Sequence, residues 1–497
     1  MTSRNQGSVR LPSMVQLRSA GAMLAVAAAC LGLPLVIGFI SAKLTESTSL
    51  QAAVLAGLLF PALLLALIKP KALVPYTLLI WAVAPELRRI ADWAQGEYHS
   101  VSLLSLAPLL TGATLIIPVM RELHKIQRSS TRIIALFGGA LVYGTLIGLA
   151  KNGLGSVYDL ANYIVPLLLI PYFAVIRFSS KDIDRLLYAY ANIAVLVSIY
   201  GIIQYLTVPE WDAFWMRHAD MISIGTPYPL EIRVFSTLNS PGPAATFLVF
   251  ALVPMILERK WQGTLRWIGV LLVVVCLLTT LVRSAWLVLL VMLLVYIATS
   301  PSKGKWKSLL QLGFVAALLI WIVPKLPGAE GLVARMETLT SVQEDHSYNE
   351  RLDLWRSMLP TVMSNPVGQG IGSVGQGTKL GNGGELGEYG NMDNGFIALL
   401  LTFGIAGGLF FFGALGAALK QLAVKVAKKN PMQPYARLAL AAWMGAVASL
   451  VSDNGFPGLK GYLIWMLVGI GLGAREAIAN RKKGTSHAAI EREIISS

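Results

Sequence analysis

Two arginines lie where arginine is unusual in this chain, and both could bind an anion. Arg283 separates the apolar runs 266–281 and 284–299, each of about 16 residues. At 1.5 Å per residue, two such helices would each span only about 24 Å of a hydrocarbon core that is roughly 30 Å thick. Arg283 is therefore expected to be recessed in the membrane, where an arginine marks a polar cavity or an anionic partner. The alternative is an arginine that reaches the surface and has no role.

Arg233 lies in the segment RVFSTLNSPGPAA, just before the apolar run 242–257. A guanidinium group binds phosphate through two parallel hydrogen bonds. Arg233 and Arg283 would therefore suit a diphosphate if they converge on one cavity. The alternative for Arg233 is a solvated charge in a loop.

Acidic residues near the apolar run 395–419 could supply a base. Asp393 directly precedes Asn394 and this run, so its carboxylate could take a proton from a sugar hydroxyl. The alternative is structural, with Asn394 as a helix N-cap and Asp393 beside it. Asp345, Glu350 and Arg351 could share the rim of the same site, although each of them also has a structural explanation.

The elements that must position these residues are membrane helices. The chain has 497 residues, of which 55% are hydrophobic and 13% are charged, and its mean hydropathy is +0.63. We predict an all-α, polytopic membrane protein with about 12–14 transmembrane helices. The predicted spans lie near 20–42, 50–68, 72–85, 101–119, 131–150, 158–176, 187–207, 242–257, 266–281, 284–299, 308–324, 395–419, 435–452 and 459–474.

The distribution of charge predicts the orientation of the chain. With the N-terminus in the cytoplasm and the sides alternating, the inner loops hold 28 of the 41 Lys and Arg residues but only 7 of the 26 acids. Cytoplasmic loops are enriched in Lys and Arg, so both termini are predicted to be cytoplasmic. The net charge of +15 is thereby explained without nucleic acid, which is not an expected partner.

This orientation places the longest connection on the outer face. The predicted organisation is transmembrane helices 1–11 in residues 1–324, a large loop in 325–394, helices 12–14 in 395–474 and a cytoplasmic tail in 475–497. Within the loop, a capping-box spacing and apolar residues at helical intervals predict an amphipathic helix over 348–364. The ten glycines of residues 368–391 suggest a mobile lid.

Other patterns in the chain are weaker. Gly370-x-Gly372-x-x-Gly375 has the dinucleotide-binding spacing, but no strand precedes it, so nucleotide binding is not predicted. Asp182 and Asp184 precede a predicted helix, where acids favour the helix dipole. The two cysteines fall in predicted spans and no histidine has a metal-ligand spacing, so neither a metal site nor a cofactor is predicted.

Taken in order, several segments resemble the O-antigen ligase and Wzy-type polysaccharide polymerase superfamily. They are the RVFST segment, VRSAWL, DHSYNERLDLW, NPVGQGIGSVG, DNGF and FGIAGG, while PELRRIADW resembles exopolysaccharide members. The resemblance covers about residues 75–412. It implies a bacterial inner-membrane glycosyltransferase of the metal-independent GT-C type, with a large periplasmic loop and no cofactor. Such an enzyme takes glycan from an undecaprenyl-diphosphate carrier.

The resemblance also implies roles for particular residues. Arg233 and Arg283 correspond to the family's recurrent arginines and would bind the donor diphosphate, while Arg351 corresponds to the arginine of the large loop. Many members have His-Asn where this chain has Asp393-Asn394. Asp393 is therefore the expected base, with His346 as the alternative.

Three functions remain open from the sequence. The first is a polymerase that transfers glycan to a lipid-linked repeat unit, favoured by the exopolysaccharide-like opening and by the absence of His-Asn. The second is a ligase that transfers glycan to lipid A–core, and the third is a transporter or flippase. The expected partners are lipid-linked oligosaccharides, the membrane and other polysaccharide export or chain-length proteins.

Overall fold

The computed structural model describes residues 46–126, 128–219, 224–300, 346–390 and 392–473. Across these ranges the chain is nearly all helical and contains no β-strand, and Gly225 and Ile232 form an isolated bridge. The prediction of an all-α membrane protein is confirmed.

The α-helices follow the chain in a simple order. They are α1 (Glu46–Ile68), α2 (Pro70–Gln95), α3 (Ala107–Ala113), α4 (Ile116–Arg121), α5 (Arg128–Asn152), α6 (Leu154–Leu167), α7 (Leu169–Val175), α8 (Ser180–Thr207), α9 (Glu210–His218), α10 (Pro241–Leu257), α11 (Arg266–Thr279), α12 (Arg283–Ala298), α13 (His346–Ser364), α14 (Gly395–Ala427), α15 (Gln433–Ser449) and α16 (Gly458–Gly473). Short 3-10 turns cover Leu103–Leu106, Leu123–Lys125, Arg259–Trp261 and Gln376–Leu380.

The predicted spans that fall within the described ranges are all helical, whereas 20–42 and 308–324 lie outside them. Six segments in this part of the chain are long and apolar enough to cross a membrane, by length and composition. They are Ser49–Ile68, Leu103–Arg121, Ser130–Asn152, Leu154–Val175, Ser180–Thr207 and Gly395–Ala427. The apolar helices α10, α11, α12 and α16 are shorter. The chain is therefore a multi-pass membrane protein.

Prolines explain why two predicted spans are broken. The span at 158–176 is divided into α6 and α7, and Pro171 cannot donate a hydrogen bond to the carbonyl of Leu167. The span at 101–119 is divided into α3 and α4 near Thr114, four residues before Pro118.

The helices pack around two that are buried along most of their length, α10 and α16. A helix that is apolar on all sides belongs in the interior of a bundle. α16 contacts α7, α6 and α15, while α10 contacts α8, α11 and α12. α14 packs along α5 and α15. The first turns of α10, α12 and α16 also line one cavity, which is described below.

Candidate functional site

The turn between α11 and α12 brings the two predicted anion-binding arginines close in the fold. α11 ends at Thr279 and α12 begins at Arg283, and these helices have 14 and 16 residues, as short as predicted. The Val234 N–H donates to the carbonyl of Thr279 at 3.0 Å. The Arg233 Nε donates to the carbonyl of Thr280 at 3.3 Å. The side chain of Arg233 is thus hydrogen-bonded to Thr280, the residue three positions before Arg283 in the chain.

The backbone of this turn is strained. Leu281 has a φ of 55°, which a residue with a Cβ rarely adopts. Strained backbone persists only where the surrounding structure enforces it, and it is concentrated at functional sites. The hydrogen bonds from Val234 and Arg233 to the carbonyls of Thr279 and Thr280 help to stabilise this conformation.

A buried charge network, none of whose members was predicted as a site residue, fixes the segment after Arg233. Arg89, only 1% exposed, forms ion pairs with Glu86 and with Asp212, the latter at 2.7 Å. It also donates to the carbonyls of Ser236 at 2.5 Å and Leu238 at 2.6 Å. The spacing of Glu86, Arg89 and Asp92 along one helix face was the available signal. The predicted span ends at residue 85, whereas α2 continues through this segment to Gln95.

Gln204 holds the same segment from the other side. Its side-chain oxygen accepts hydrogen bonds from the N–H groups of Phe235 at 3.1 Å and Ser236 at 2.8 Å. Ser236 has a φ of 53°, so this conformation also depends on external contacts. The position of Arg233 is therefore set by side chains from α2, α8 and α9.

Asp393 lies at the start of α14, where the chain returns to the bundle. Asn394 is the N-cap of this helix, and its side chain accepts from the Ile397 N–H at 3.0 Å. The capping interpretation therefore accounts for Asn394. The Gly395 N–H donates to the carbonyl of Leu450 at 2.8 Å. A Cβ at Gly395 would clash with the carbonyl of Asp453. The turn that carries Asp393 thus packs directly against the connection between α15 and α16.

The cavity has a volume of about 160 Å³. Its wall combines the first half of α10, residues on both sides of Arg283, Asp393, and the region from the end of α15 into α16. The lining residues that matter most for chemistry are Val282, Ser284, Asp393, Asp453 and Lys460. Of the predicted site residues, Asp393 lines the cavity. Arg283 does not line it, although Val282 and Ser284 on either side of it do.

Lys460 and Asp453 were not predicted as site residues. They form an ion pair, and the charge of Asp393 also acts on Lys460. Lys460 lies within the span predicted at 459–474. The overlooked signal was a single cation near the start of an apolar run, the same signal that identified Arg283.

A break in α14 shapes the helix below Asp393. Gly404 has φ 61° and ψ −165° inside this helix, a conformation open almost only to glycine. The Ile405 N–H donates to the carbonyl of Pro366 at 2.8 Å instead of continuing the regular pattern. The motif FGIAGG thus marks a helix break, which the segment after α13 fills.

The same segment satisfies carbonyl groups freed by the break. The Gln369 N–H donates to the carbonyl of Leu401 at 2.7 Å, and the Gly370 N–H donates to that of Thr402 at 2.9 Å. Buried backbone groups must be paired inside a membrane protein. The segments that contain NPVGQG and FGIAGG are therefore hydrogen-bonded to each other at the break in α14.

The prediction of a mobile lid is wrong for the first half of the glycine-rich segment. The Ile371 N–H donates to the carbonyl of Gly144 at 2.9 Å, and the Ser156 hydroxyl donates to the Ile371 carbonyl at 2.8 Å. A Cβ at Gly370 or Gly372 would clash with backbone atoms of α5 or α6. These glycines permit close packing. Most of the second half, from Gly381 to Glu388, is exposed.

The remaining predicted residues belong to the region around α13. The described part of this helix starts at His346, and the helix packs on Ile397 and Leu401 of α14 through Val362. His346, Glu350 and Arg351 lie on α13, but their side chains are outside the described part of the structure. Asp345 lies outside the described residues.

No group of three or more His, Cys, Asp or Glu side chains that could hold a metal ion occurs among the described residues. The polar groups of the cavity are carboxylates, hydroxyls and an ammonium group, and Arg283 lies in the chain between two lining residues. An ammonium and a guanidinium suit an anionic ligand, and a carboxylate suits proton transfer.

Residues 268–412 match the family model described as O-antigen ligase. This part of the chain is therefore similar to O-antigen ligases. The matched region extends from α11 into the first half of α14 and contains both Arg283 and Asp393. Arg233 and Lys460 lie outside it, on either side in the sequence. The resemblance to the O-antigen ligase and Wzy-type superfamily is thereby confirmed. No curated protein matches the chain.

Proposed function

We propose that this O-antigen ligase-type protein is a glycosyltransferase that uses a polyprenyl-diphosphate-linked glycan as its donor. Its acceptor would be a lipid-linked repeat unit, so that each reaction lengthens a polysaccharide. The reaction would take place at the periplasmic face of the bacterial inner membrane, with both termini in the cytoplasm. The observation that carries the proposal is the cavity at which Asp393 and the turn holding Arg283 meet.

The arginines account for the donor. Arg283 is the first residue of α12 and Arg233 is bonded to the turn before it. Their guanidinium groups, together with the positive end of the α12 dipole, favour a diphosphate. These charges are already in place before reaction, so they would stabilise the negative charge that develops on the leaving group.

The carboxylate accounts for the acceptor. Asp393 would take the proton of an acceptor hydroxyl while that oxygen attacks the anomeric carbon of the donor. The new carbon–oxygen bond forms as the bond to the diphosphate breaks, with inversion at the anomeric carbon. The lipid diphosphate leaves with the bonding electron pair, and Asp393 then releases its proton to water.

Purified protein in proteoliposomes with lipid-linked oligosaccharide tests the proposal. We expect chain elongation by the natural protein, and a loss of about 100-fold or more in Arg283→Ala and in Arg233→Ala. Arg356→Ala is the matched control because the side chain of Arg356 is 77% exposed on α13; it should elongate normally. If both site variants still elongate the chain normally, the proposed donor site is wrong. Movement of oligosaccharide across the bilayer without elongation would instead support the transporter.

The description of the matched family favours a ligase as the second candidate. A ligase would use the same donor site and transfer the glycan to lipid A–core. Presenting both acceptors to the same proteoliposomes separates the two: a polymerase elongates the lipid-linked unit, whereas a ligase labels only lipid A–core.

A further inference from the structure

The cavity next to Asp393 has the size of one sugar ring. Its volume of about 160 Å³ is close to the roughly 150 Å³ of an apolar protein cavity that binds benzene, a single six-membered ring. A pyranose is also a six-membered ring, so one sugar of a glycan chain fits here. Asp393 is exposed and forms part of the wall, so the cavity is open on this side.

The wall of the cavity combines buried apolar residues with a few accessible polar groups. Val249, Phe250 and Ile464 line it and are at most 2% exposed, whereas the side chains of Lys460 and Asp453 are 18% and 33% exposed. A mainly apolar wall with a few placed polar groups is typical of a site for a small organic ligand. A sugar ring, which has C–H faces and a hydroxyl edge, matches such a wall.

The charges of the wall disfavour an anion inside the cavity. Among the described lining residues, Asp393, Asp453 and Lys460 are charged, so two carboxylates face one ammonium group and the sum is −1. The ammonium group is already paired with Asp453, and a diphosphate would be repelled by the remaining carboxylate. Arg283 lies in the chain between two lining residues. The diphosphate would therefore lie at the arginines, and the cavity would receive the sugar attached to it.

Lys460 and Asp453 present hydrogen-bond donors and acceptors side by side. The ammonium group donates to the Asp453 carboxylate, which uses one of its three N–H groups, and the carboxylate keeps further lone pairs. A sugar hydroxyl is both a donor and an acceptor, so one hydroxyl can accept from the ammonium group while its neighbour donates to the carboxylate. Hydrogen bonds to charged groups are stronger than those between neutral groups. The pair can therefore distinguish a sugar that has both hydroxyls from one that lacks either.

The surrounding backbone holds both members of the pair. A Cβ on Gly461, the residue after the lysine, would clash with the carbonyl of Phe456, so the first turn of α16 is tightly packed. The Asp453 N–H donates to the carbonyl of Ser449 at 2.9 Å, and the Asp453 carbonyl lies against Gly395. Groups that are fixed before binding lose little conformational freedom when the ligand arrives, which favours selective recognition.

We propose that the cavity holds the sugar joined directly to the donor diphosphate, that this sugar carries no charge, and that Lys460 and Asp453 select it by binding two of its neighbouring hydroxyl groups. The inference rests on the proposed transferase function and adds to it a class of sugar and two residues outside the matched region. A uronic acid at this position would add a negative charge to a wall whose net charge is already −1, so it would be a poor donor.

Elongation in proteoliposomes with donors that differ only in the first sugar tests this assignment. The probes are the natural lipid-linked oligosaccharide and analogues in which one hydroxyl at a time of the diphosphate-linked sugar is replaced by hydrogen. With the natural protein, two of these analogues should elongate about 10-fold more slowly or worse at low donor concentration, because a charged group loses its hydrogen bond. Lys460→Met and Asp453→Asn should each lose discrimination at one or both of these positions.

The ratio of the two rates is informative because a partly unfolded preparation would slow both donors equally. The variants are first compared by thermal unfolding, and Asp453→Asn, which keeps the size of the side chain, is the second variant if Lys460→Met does not fold. Lys429→Met, which removes an exposed lysine, is the matched control and should keep the natural ratios. The same ratios in both cavity variants would overturn the assignment, while continued elongation would leave the proposed function standing.

A charged donor tests the class of sugar. Oxidation of the first sugar to a uronic acid should make the donor poor for the natural protein, and Asp453→Asn should improve its use relative to the neutral donor, because the wall loses one anion. A natural donor whose first sugar is acidic would contradict the proposed class.

Polyprenyl diphosphate without a sugar separates this role of Lys460 from direct binding of the diphosphate. As a competitor of elongation it should inhibit Lys460→Met and the natural protein equally. Much weaker inhibition of Lys460→Met, with unchanged sugar ratios, would overturn the assignment and make Lys460 a third diphosphate ligand. No elongation by the natural protein would overturn the proposed function and the assignment together.

Discussion

Arg89 shows how much of the site depends on a single side chain far from the cavity in sequence. Its guanidinium group is fully buried, neutralised by two carboxylates and bonded to two carbonyls of the segment after Arg233. An isolated buried charge is costly, so the arrangement is stable only as a complete set. The position of Arg233 depends on that set.

Arg89→Met should be strongly destabilising because it leaves Glu86 and Asp212 buried without their cation. Breaking a buried pair from one side costs about 3–5 kcal/mol, to be measured as a lower Tm in detergent. The triple variant Glu86→Gln, Arg89→Met, Asp212→Asn should recover part of the loss, since it buries no charge. Arg356→Met, which removes an exposed arginine, should leave Tm unchanged. If Arg89→Met unfolds at the same Tm as the natural protein, the network does not stabilise the fold.

At the scale of the element, the break in α14 is built into the fold. An ideal helix from Gly395 to Ala427 would leave residues 366–370 without their hydrogen-bond partners. Gly404 has a backbone conformation that excludes a Cβ, and the space beside it is filled by the carbonyl of Val367. Helix propensity alone would predict that replacing a glycine here by alanine stabilises the helix. The local geometry predicts the reverse.

Gly404→Ala should therefore destabilise the protein by about 1–3 kcal/mol, while Gly413→Ala in the same helix should not. A Cβ at Gly413 meets nothing within 4 Å, so that substitution should be neutral or slightly stabilising. Tm values of the two variants in the same detergent make the comparison. Equal effects of the two substitutions would mean that α14 is continuous in solution.

At the scale of the whole molecule, the distribution of charge predicts on which side of the membrane each loop lies, which the helix packing alone does not. Glu385, in the exposed half of the glycine-rich segment, and Lys429, between α14 and α15, should lie on opposite sides of the membrane. In a protein with Cys30 and Cys276 replaced by serine, Glu385→Cys should react with an impermeant maleimide on spheroplasts. Lys429→Cys should react only after the membrane is opened. The reverse pattern would invert the proposed orientation.

Features of the fold that depend on a continuous stretch of sequence were predictable, whereas those that depend on contacts between distant segments were not. Helices such as α5 and α8 were predictable because long apolar runs report directly on burial in lipid. The position of Arg283 at the start of a short helix was predictable because the residue separates two short apolar runs, and its role in binding an anion stays a prediction. The buried network of Arg89 was not, because Asp212, Ser236 and Leu238 are distant from Arg89 in the sequence. Lys460 carried the same signal as Arg283 and was overlooked. The docking of the glycine-rich segment was misjudged because a glycine needed for close approach looks the same in sequence as a glycine needed for motion.

The Arg89 network also has a consequence for how the protein is made. The carbonyl of Ser236 that Arg89 binds lies 147 residues further along the chain. At roughly 5–20 residues per second, synthesis takes about 7–30 seconds to supply it. During that time α2 is in place with a cation whose partners from α9 and the RVFST segment have not yet been made. The newly made N-terminal helices are therefore expected to remain with the insertion machinery until translation has passed residue 238.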